Sequence, residues 1–218
     1  MKSIHMTTLG GALLMCLSLN ACAPLMVAGF AGTAMVASDR RTSGTQLEDE
    51  TIELRGGARV RDALGDKAHV NITSFNRQVL LTGEVASERD RQTVYQLVEK
   101  IENVRSVVNE LSITPLSTLS ERSNDLLITA KVKGSLVDSR DLFANAFKVV
   151  TERGTVYLMG RVTQREASSA TNVIRNVQGV NKVVRLFDII TEDELRNLLP
   201  PPPPPEKPAD AAKAKTKS

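Results

Sequence analysis

The chain has 218 residues, with 28 Lys and Arg against 25 Asp and Glu, 2 His, 2 Cys, 5 Phe, 2 Tyr and no Trp. So few aromatic residues confine any core to Val, Ile, Leu and Ala, and so few His and Cys leave little material for a histidine-based triad or a zinc site. The net charge of +3 hides a division, because residues 48–113 carry 9 basic against 12 acidic side chains and residues 124–190 carry 10 against 6.

Residues 1 to 21 read as an export signal. Lys2 gives a weak positive start, and Leu9 to Leu19 is an apolar run too short for a stable membrane span. Leu19-Asn20-Ala21-Cys22 resembles a lipobox, which implies cleavage before Cys22 and acylation of that cysteine. Cys16 leaves with the signal, so no disulfide can form within the mature chain, and His69 is its one remaining histidine. Ala23 stands in place of Asp after the lipid site, which under the enterobacterial sorting rule implies the outer membrane. Residues 22–46 are then a lipidated linker. Its apolar part, Pro24 to Ala37, either lies at the bilayer surface or is a plain spacer, and Ser38 to Gln46 is polar.

A helix is expected over 47–64, with Asp49, Glu50 and Glu53 suiting the dipole at its start and Gly56-Gly57 weakening or breaking it. Strands follow at Val70 to Thr73 and Val79 to Val85. In the second, Val79, Leu81 and Val85 share a face, and Gly83 is read as room for a helix over the sheet. Ser87 caps a helix to about Glu102 with Val94, Leu97, Val98 and Ile101 at core spacing, and Val104 to Ile113 supplies a third strand.

Residues 115–122 read as a linker. Ser123-Asn124-Asp125 are expected to cap the next helix, on which Ile128, Val132, Ser135 and Leu136 form one stripe while Leu126 and Leu127 fall off it. Strands at Phe147 to Val150 and Val156 to Val162 lead to a capping box, Thr163 with Glu166. Ala167, Ala170, Val173, Ile174 and Val177 follow at helical spacing until Gly179, and Val180 to Ile190 is the last strand. Thr191 and Glu194 form another capping box before a short helix over 191–199. Pro200 to Pro205 favours a polyproline II rod, and residues 200–218 together read as a structureless tail or, alternatively, a docking peptide.

These elements repeat. Val79-Leu80-Leu81-Thr82-Gly83-Glu84-Val85 returns 77 residues later as Val156-Tyr157-Leu158-Met159-Gly160-Arg161-Val162, and Asn103 to Val108 returns as Gly179 to Val184. The order helix, strand, strand, helix, strand, the run Gly154 to Val162 and the later Gly179-Val180 resemble the BON domain, a small αββαβ module. In the first copy Arg77 and Asn103 stand where that pattern has glycines; Asn accepts the left-handed conformation readily. The expected fold is α+β: two tandem BON domains, 47–114 and 123–190, each with helices packed on a small three-stranded sheet.

A lipobox followed by two such modules resembles the tandem-BON outer-membrane lipoproteins, with Ser123 to Val132 a close point of likeness. That resemblance implies a lipid-anchored protein facing the periplasm, without enzymatic activity or cofactor, that supports envelope integrity, is associated with division and binds anionic phospholipid through its second domain. The residues support a site of that kind: Leu126 and Leu127 would dip into a bilayer while Lys131 and Lys133 meet phosphates. In the alternative, both leucines pack on the first domain or its linker. The family's membrane helix can carry an aromatic near this point, and Leu127 here implies weaker anchoring. Nucleic acid is not expected as a partner, since the chain is exported and lacks basic residues interleaved with aromatics. A second function remains open, an adaptor whose acidic first repeat or proline rod holds an envelope, cell-wall or division protein.

Overall fold

The computed structural model describes residues 39–198; the expected signal, the expected acylation site at Cys22, the 24–37 segment and the proline-rich tail lie outside them. In the first repeat α1 (Ser43–Leu64) leads through a 3-10 turn into β1 (His69–Phe75) and β2 (Gln78–Val85). Then come α2 (Glu88–Glu99) and a divided last strand, β3 (Ser106–Asn109) and β4 (Ser112–Ile113). The second repeat has α3 (Leu119–Asp138), β5 (Phe147–Glu152), β6 (Thr155–Thr163), α4 (Gln164–Arg175) and β7 (Lys182–Ile190), followed by the short α5 (Glu192–Leu198).

Both sheets share one plan. The hairpin strands pair antiparallel, and the last strand returns through a helix to lie parallel to the second hairpin strand, giving the orders β1-β2-β3 and β5-β6-β7. A parallel return needs a crossover of this length, which α2 and α4 provide.

The first helix of each repeat begins earlier than its sequence pattern suggests. Thr42 caps α1 by accepting from the Thr45 N–H, and Thr118 caps α3 in a full capping box with Glu121. The expected cap at Ser123-Asn124-Asp125 is therefore wrong, and residues 119–122 of the expected linker form the first turn of α3. A threonine with an acid three residues on outcompetes a second cluster of capping residues within the same run, because its two reciprocal bonds satisfy two free N–H groups at once.

Nor does Gly56-Gly57 break α1, which is continuous through both. Gly56 is buried, and a Cβ there would lie 2.8 Å from Ile72 Cδ1, so this glycine lets the helix settle on β1. The reading of Gly83 needs the matching correction. It has φ of +108°, and an added Cβ would lie 2.0 Å from the His69 carbonyl oxygen, so the glycine makes room for the neighbouring strand rather than for a helix. Gly160 is crowded in the same way, with its added Cβ 2.4 Å from the Ala146 oxygen.

Alternation along β2 and β6 sends side chains to two different cores. Val79, Leu81 and Val85 pack under α1 and α2 with Ile52, Val94 and Val98, while Val156, Leu158 and Val162 pack under α3 and α4 with Ile128, Val132 and Ile174. The residues between them point the other way. Leu80 from β2 and Tyr157 and Met159 from β6 join Phe75 in a third core, flanked by Val108, Val150, Val184 and Leu186. The two sheets thus stack face to face, and the repeats form one body instead of two independent domains.

Two ion pairs and a hydrogen bond border this shared core, and the ion pairs account for part of the charge division. Glu53 meets Lys148 Nζ at 2.7 Å, Glu84 meets Arg153 Nε at 2.9 Å, and the Tyr157 hydroxyl donates to Glu110 at 3.3 Å. In each pair the acid comes from the first repeat and its partner from the second.

Candidate membrane-facing site

Helix α3 has two faces of different character. Ile128, Val132 and Leu136 are buried against the sheet. On the opposite side Leu119, Leu126, Leu127 and Val137 are 81%, 71%, 62% and 70% exposed, with Ala130 exposed between them. At 100° per residue, positions 119, 126, 130 and 137 fall on one stripe, because their spacings of seven, four and seven are near whole turns. These four large apolar side chains remain mostly exposed among the described residues, an apolar surface of the kind that marks an interaction site.

Lys131 and Lys133 are both exposed; Lys131 lies 3.5 Å from the Gln178 side-chain oxygen, and neither lysine joins an ion pair among the described residues. Leu126, Leu127, Lys131 and Lys133 thus lie together on the free side of one helix. Leu119 joins the stripe only because the helix begins four residues before Ser123, and Val137 joins it from the last turn. The heptad spacing of Leu119, Leu126 and Lys133 was already in the sequence. Among the described residues, no helix is long and apolar enough to cross a membrane.

The second buried residue class on α3 is polar. Asp125 accepts the backbone N–H of Arg153 at 2.8 Å and of Gly154 at 2.9 Å, so the helix holds the β5–β6 turn. Asp49 on α1 does the same for the β1–β2 turn, accepting from Asn76 and Arg77, each at 2.8 Å. Both turns have positive φ at their two central residues, 50° and 64° at Asn76 and Arg77, 50° and 70° at Arg153 and Gly154. The aspartates compensate for that strain, and most of all at Arg77, which adopts a conformation usually left to glycine.

Beside Leu126 a crevice of about 210 Å³ runs toward the first repeat, lined by Arg122, Leu126, Thr129, His69, Asn71 and Glu152. At its floor His69 Nδ1 lies 3.0 Å from Glu84 Oε2, and His69, Glu84 and Glu152 bring ligand atoms within 4.8 Å of one another. Such a group was not foreseen for His69. Its fit to a cation is poor, because the Arg153 guanidinium already neutralises Glu84 and Ser117 donates to the same carboxylate at 3.1 Å. Burial works to raise the Glu84 pKa, and the bonds from Arg153, Ser117 and His69 outweigh it, leaving the carboxyl below its usual range. Glu152 goes the other way, raised chiefly by burial.

The BON-domain profile matches residues 51–115 and 124–191. The chain is 36% identical over 171 residues, 78% of its length and 89% of the relative's, to the outer membrane lipoprotein DolP of Haemophilus influenzae. It is 32% identical over 154 residues, 70% of this chain and 79% of the relative, to a 21 kDa hemolysin of Actinobacillus pleuropneumoniae. With osmotically-inducible protein Y of Escherichia coli it shares 26% over 156 residues, 68% of this chain and 76% of that one. A solved structure of CdsD, a structural protein of the type III secretion system of Chlamydia trachomatis, covers 70% of this chain at 17% identity and a TM-score of 0.28, a likeness too slight to bear on function.

Proposed function

The chain belongs to the BON-domain family, and from that membership we propose that it is a non-enzymatic outer-membrane lipoprotein, anchored through Cys22 and facing the periplasm, that binds anionic phospholipid through α3 and supports envelope integrity. The observation that carries this reading is the exposed leucine pair, Leu126 and Leu127, beside two lysines that join no ion pair among the described residues, on a helix whose other face packs in the core.

The physical division of labour is simple. Acyl chains on Cys22 supply the affinity, at about 0.8 kcal/mol per buried CH₂. Shallow burial of Leu126 and Leu127 adds to it, and Lys131 and Lys133 select anionic headgroups, each contributing about 1 kcal/mol near such a surface. The lysine contribution falls with salt, the leucine contribution does not.

Co-sedimentation of residues 39–218, which lack Cys22, with neutral and with phosphatidylglycerol- or cardiolipin-containing vesicles tests the reading. Binding is expected only to the anionic vesicles and is expected to disappear in Lys131→Glu/Lys133→Glu. Equal binding to both kinds, or to neither, removes the second repeat as the lipid reader.

One observation favours an adaptor role instead. On α1, Leu47 and Leu54 are 66% and 69% exposed beside Glu48 and Glu50, a face that fits a basic apolar segment of an envelope or division protein. Capture of a partner that is lost in Leu47→Ser/Leu54→Ser and kept in Lys131→Glu/Lys133→Glu would support that role.

A further inference from the structure

The residues just before α1 are fastened to both repeats. Arg40 is 6% exposed, and its guanidinium grips Glu166 with two bonds, Nη1 to Oε2 at 2.8 Å and Nη2 to Oε1 at 2.7 Å. Nη1 also donates to the Arg161 carbonyl at 2.9 Å, while Arg161 Nη1 donates back to the Arg40 carbonyl at 3.3 Å. All of these partners belong to the second repeat. The neighbouring Arg41 takes the first: its Nη1 reaches Asp49 at 2.7 Å, its guanidinium lies 4.3 Å from the Phe75 ring centre, and Asp39 braces it at 2.6 Å.

These contacts lie outside the repeated module. Thr42, which caps α1, is the counterpart of Thr118, which caps α3, and the positions matching Arg40 and Arg41 before the second repeat are Leu116 and Ser117. Leu116 is 44% exposed. A buried two-bond ion pair is a poor way to gain stability, since desolvation offsets much of the attraction. What it does well is fix geometry.

The place it fixes is beside the loop that follows α3. The Arg40 guanidinium lies 6.0 Å from the ring of Phe143, which follows the helix C-terminus and is 50% exposed, with Val137 exposed in the last turn. Cys22 stands 17 positions before Asp39, a reach of at most about 60 Å when extended. An unfastened tether of that length would let α3 face any direction. We propose that Asp39, Arg40 and Arg41 form a clasp that brings the acyl tether onto the body at the C-terminal end of α3, so that the anchor and the leucine face address one membrane as a two-point attachment. Arg40 and Arg41 are then positioning residues. This inference rests on the phospholipid reading of α3.

The test uses the full lipidated chain on phosphatidylglycerol-containing vesicles, with an environment-sensitive fluorophore on Ala130→Cys and trypsin as a second readout. Wild-type chain should resist cleavage after Arg40 and Arg41 and should show the fluorophore in an apolar environment. Glu166→Gln keeps a side-chain acceptor for the Thr163 N–H and removes the charge Arg40 needs. It should raise cleavage after Arg40 by about tenfold and cut the fluorophore response by about half, with the same amount of protein on the vesicles. Arg40→Met/Glu166→Gln, which leaves no unpaired buried charge, should give the same loss of response and guards against misfolding of the single variant. Rapid wild-type cleavage after Arg40 overturns the clasp. A fluorophore response that survives both variants overturns its positioning role while leaving phospholipid binding intact. No response in the wild-type chain overturns the phospholipid reading and this inference with it.

Discussion

The Asp125 carboxylate, buried in the second turn of α3, accepts the backbone N–H of Gly154 at 2.9 Å and so ties the helix to the hairpin turn beneath it. Asp49 makes the same tie to Arg77 in the first repeat at 2.8 Å. Removing either carboxylate strands two turn N–H groups. Asp125→Ala and Asp49→Ala should each cost about 3 kcal/mol, and Asp→Asn less, because one acceptor oxygen remains. Denaturant titration measures this; a change below about 1 kcal/mol would show that water replaces the aspartate without penalty.

Gly83 and Gly160 should tolerate no side chain. In Gly83→Ala the new Cβ meets the His69 carbonyl oxygen at 2.0 Å from a backbone at φ +108°, so β1 and β2 must separate. A loss above about 3 kcal/mol, or failure to fold, is expected at either position. Circular dichroism melts of the two alanine variants check it.

Gly57 should behave in the opposite way. It lies in the interior of α1, and its added Cβ would approach only the flexible end of Arg61, at 3.2 Å from Nη1. Gly57→Ala is expected to stabilise by about 0.5–1 kcal/mol through helix propensity. A destabilised variant would mean that the Arg61 side chain cannot give way to the added methyl group.

Acid should loosen the joint between the repeats. Glu84 and Glu166 sit below the usual glutamate range; burial opposes this, but Arg153 with Ser117 and His69 outweighs it at Glu84, and Arg40 with the Thr163 N–H at Glu166. A depressed carboxylate contributes stability above its unfolded pKa, about 4.3, and loses it as pH falls through the folded value. Melting temperature should therefore drop below about pH 4, and less so in Glu84→Gln. Glu152, raised by burial with help from Glu84 and Asp125 and against the Asn71 bond, carries the reverse sign. Its contribution is present below the unfolded pKa and lost as pH rises through the folded one, so Glu152→Gln should raise the melting temperature at pH 7 and leave it nearly unchanged at pH 3. Melts across pH 3 to 8 decide both.

The exposed stripe of α3 predicts a graded series. Leu127→Glu should abolish vesicle binding, and Leu119→Ser and Val137→Ser should each weaken it by about threefold to tenfold at any salt concentration, since each removes apolar area and no charge. Equal binding by all three would place the lipid contact elsewhere.

By itself the sequence determined the doubled αββαβ order, the strand alternation, two of the capping boxes and the off-stripe position of Leu126 and Leu127. These are local features, in which neighbouring residues decide one another's conformation through hydrogen bonds, capping and periodicity. Gly56 and Gly83 show where that reach ends. One reads as a helix breaker and the other as a seat for a helix, and only the approach of Ile72 and of the His69 carbonyl reveals what each accommodates. The face-to-face sheets, the acids of the first repeat meeting bases of the second, and the grip of Arg40 on Glu166 across 126 positions belong to the same class. Such contacts depend on which surfaces remain to be buried once each repeat has formed, and no pattern within a single repeat encodes the partner that lies a whole repeat away.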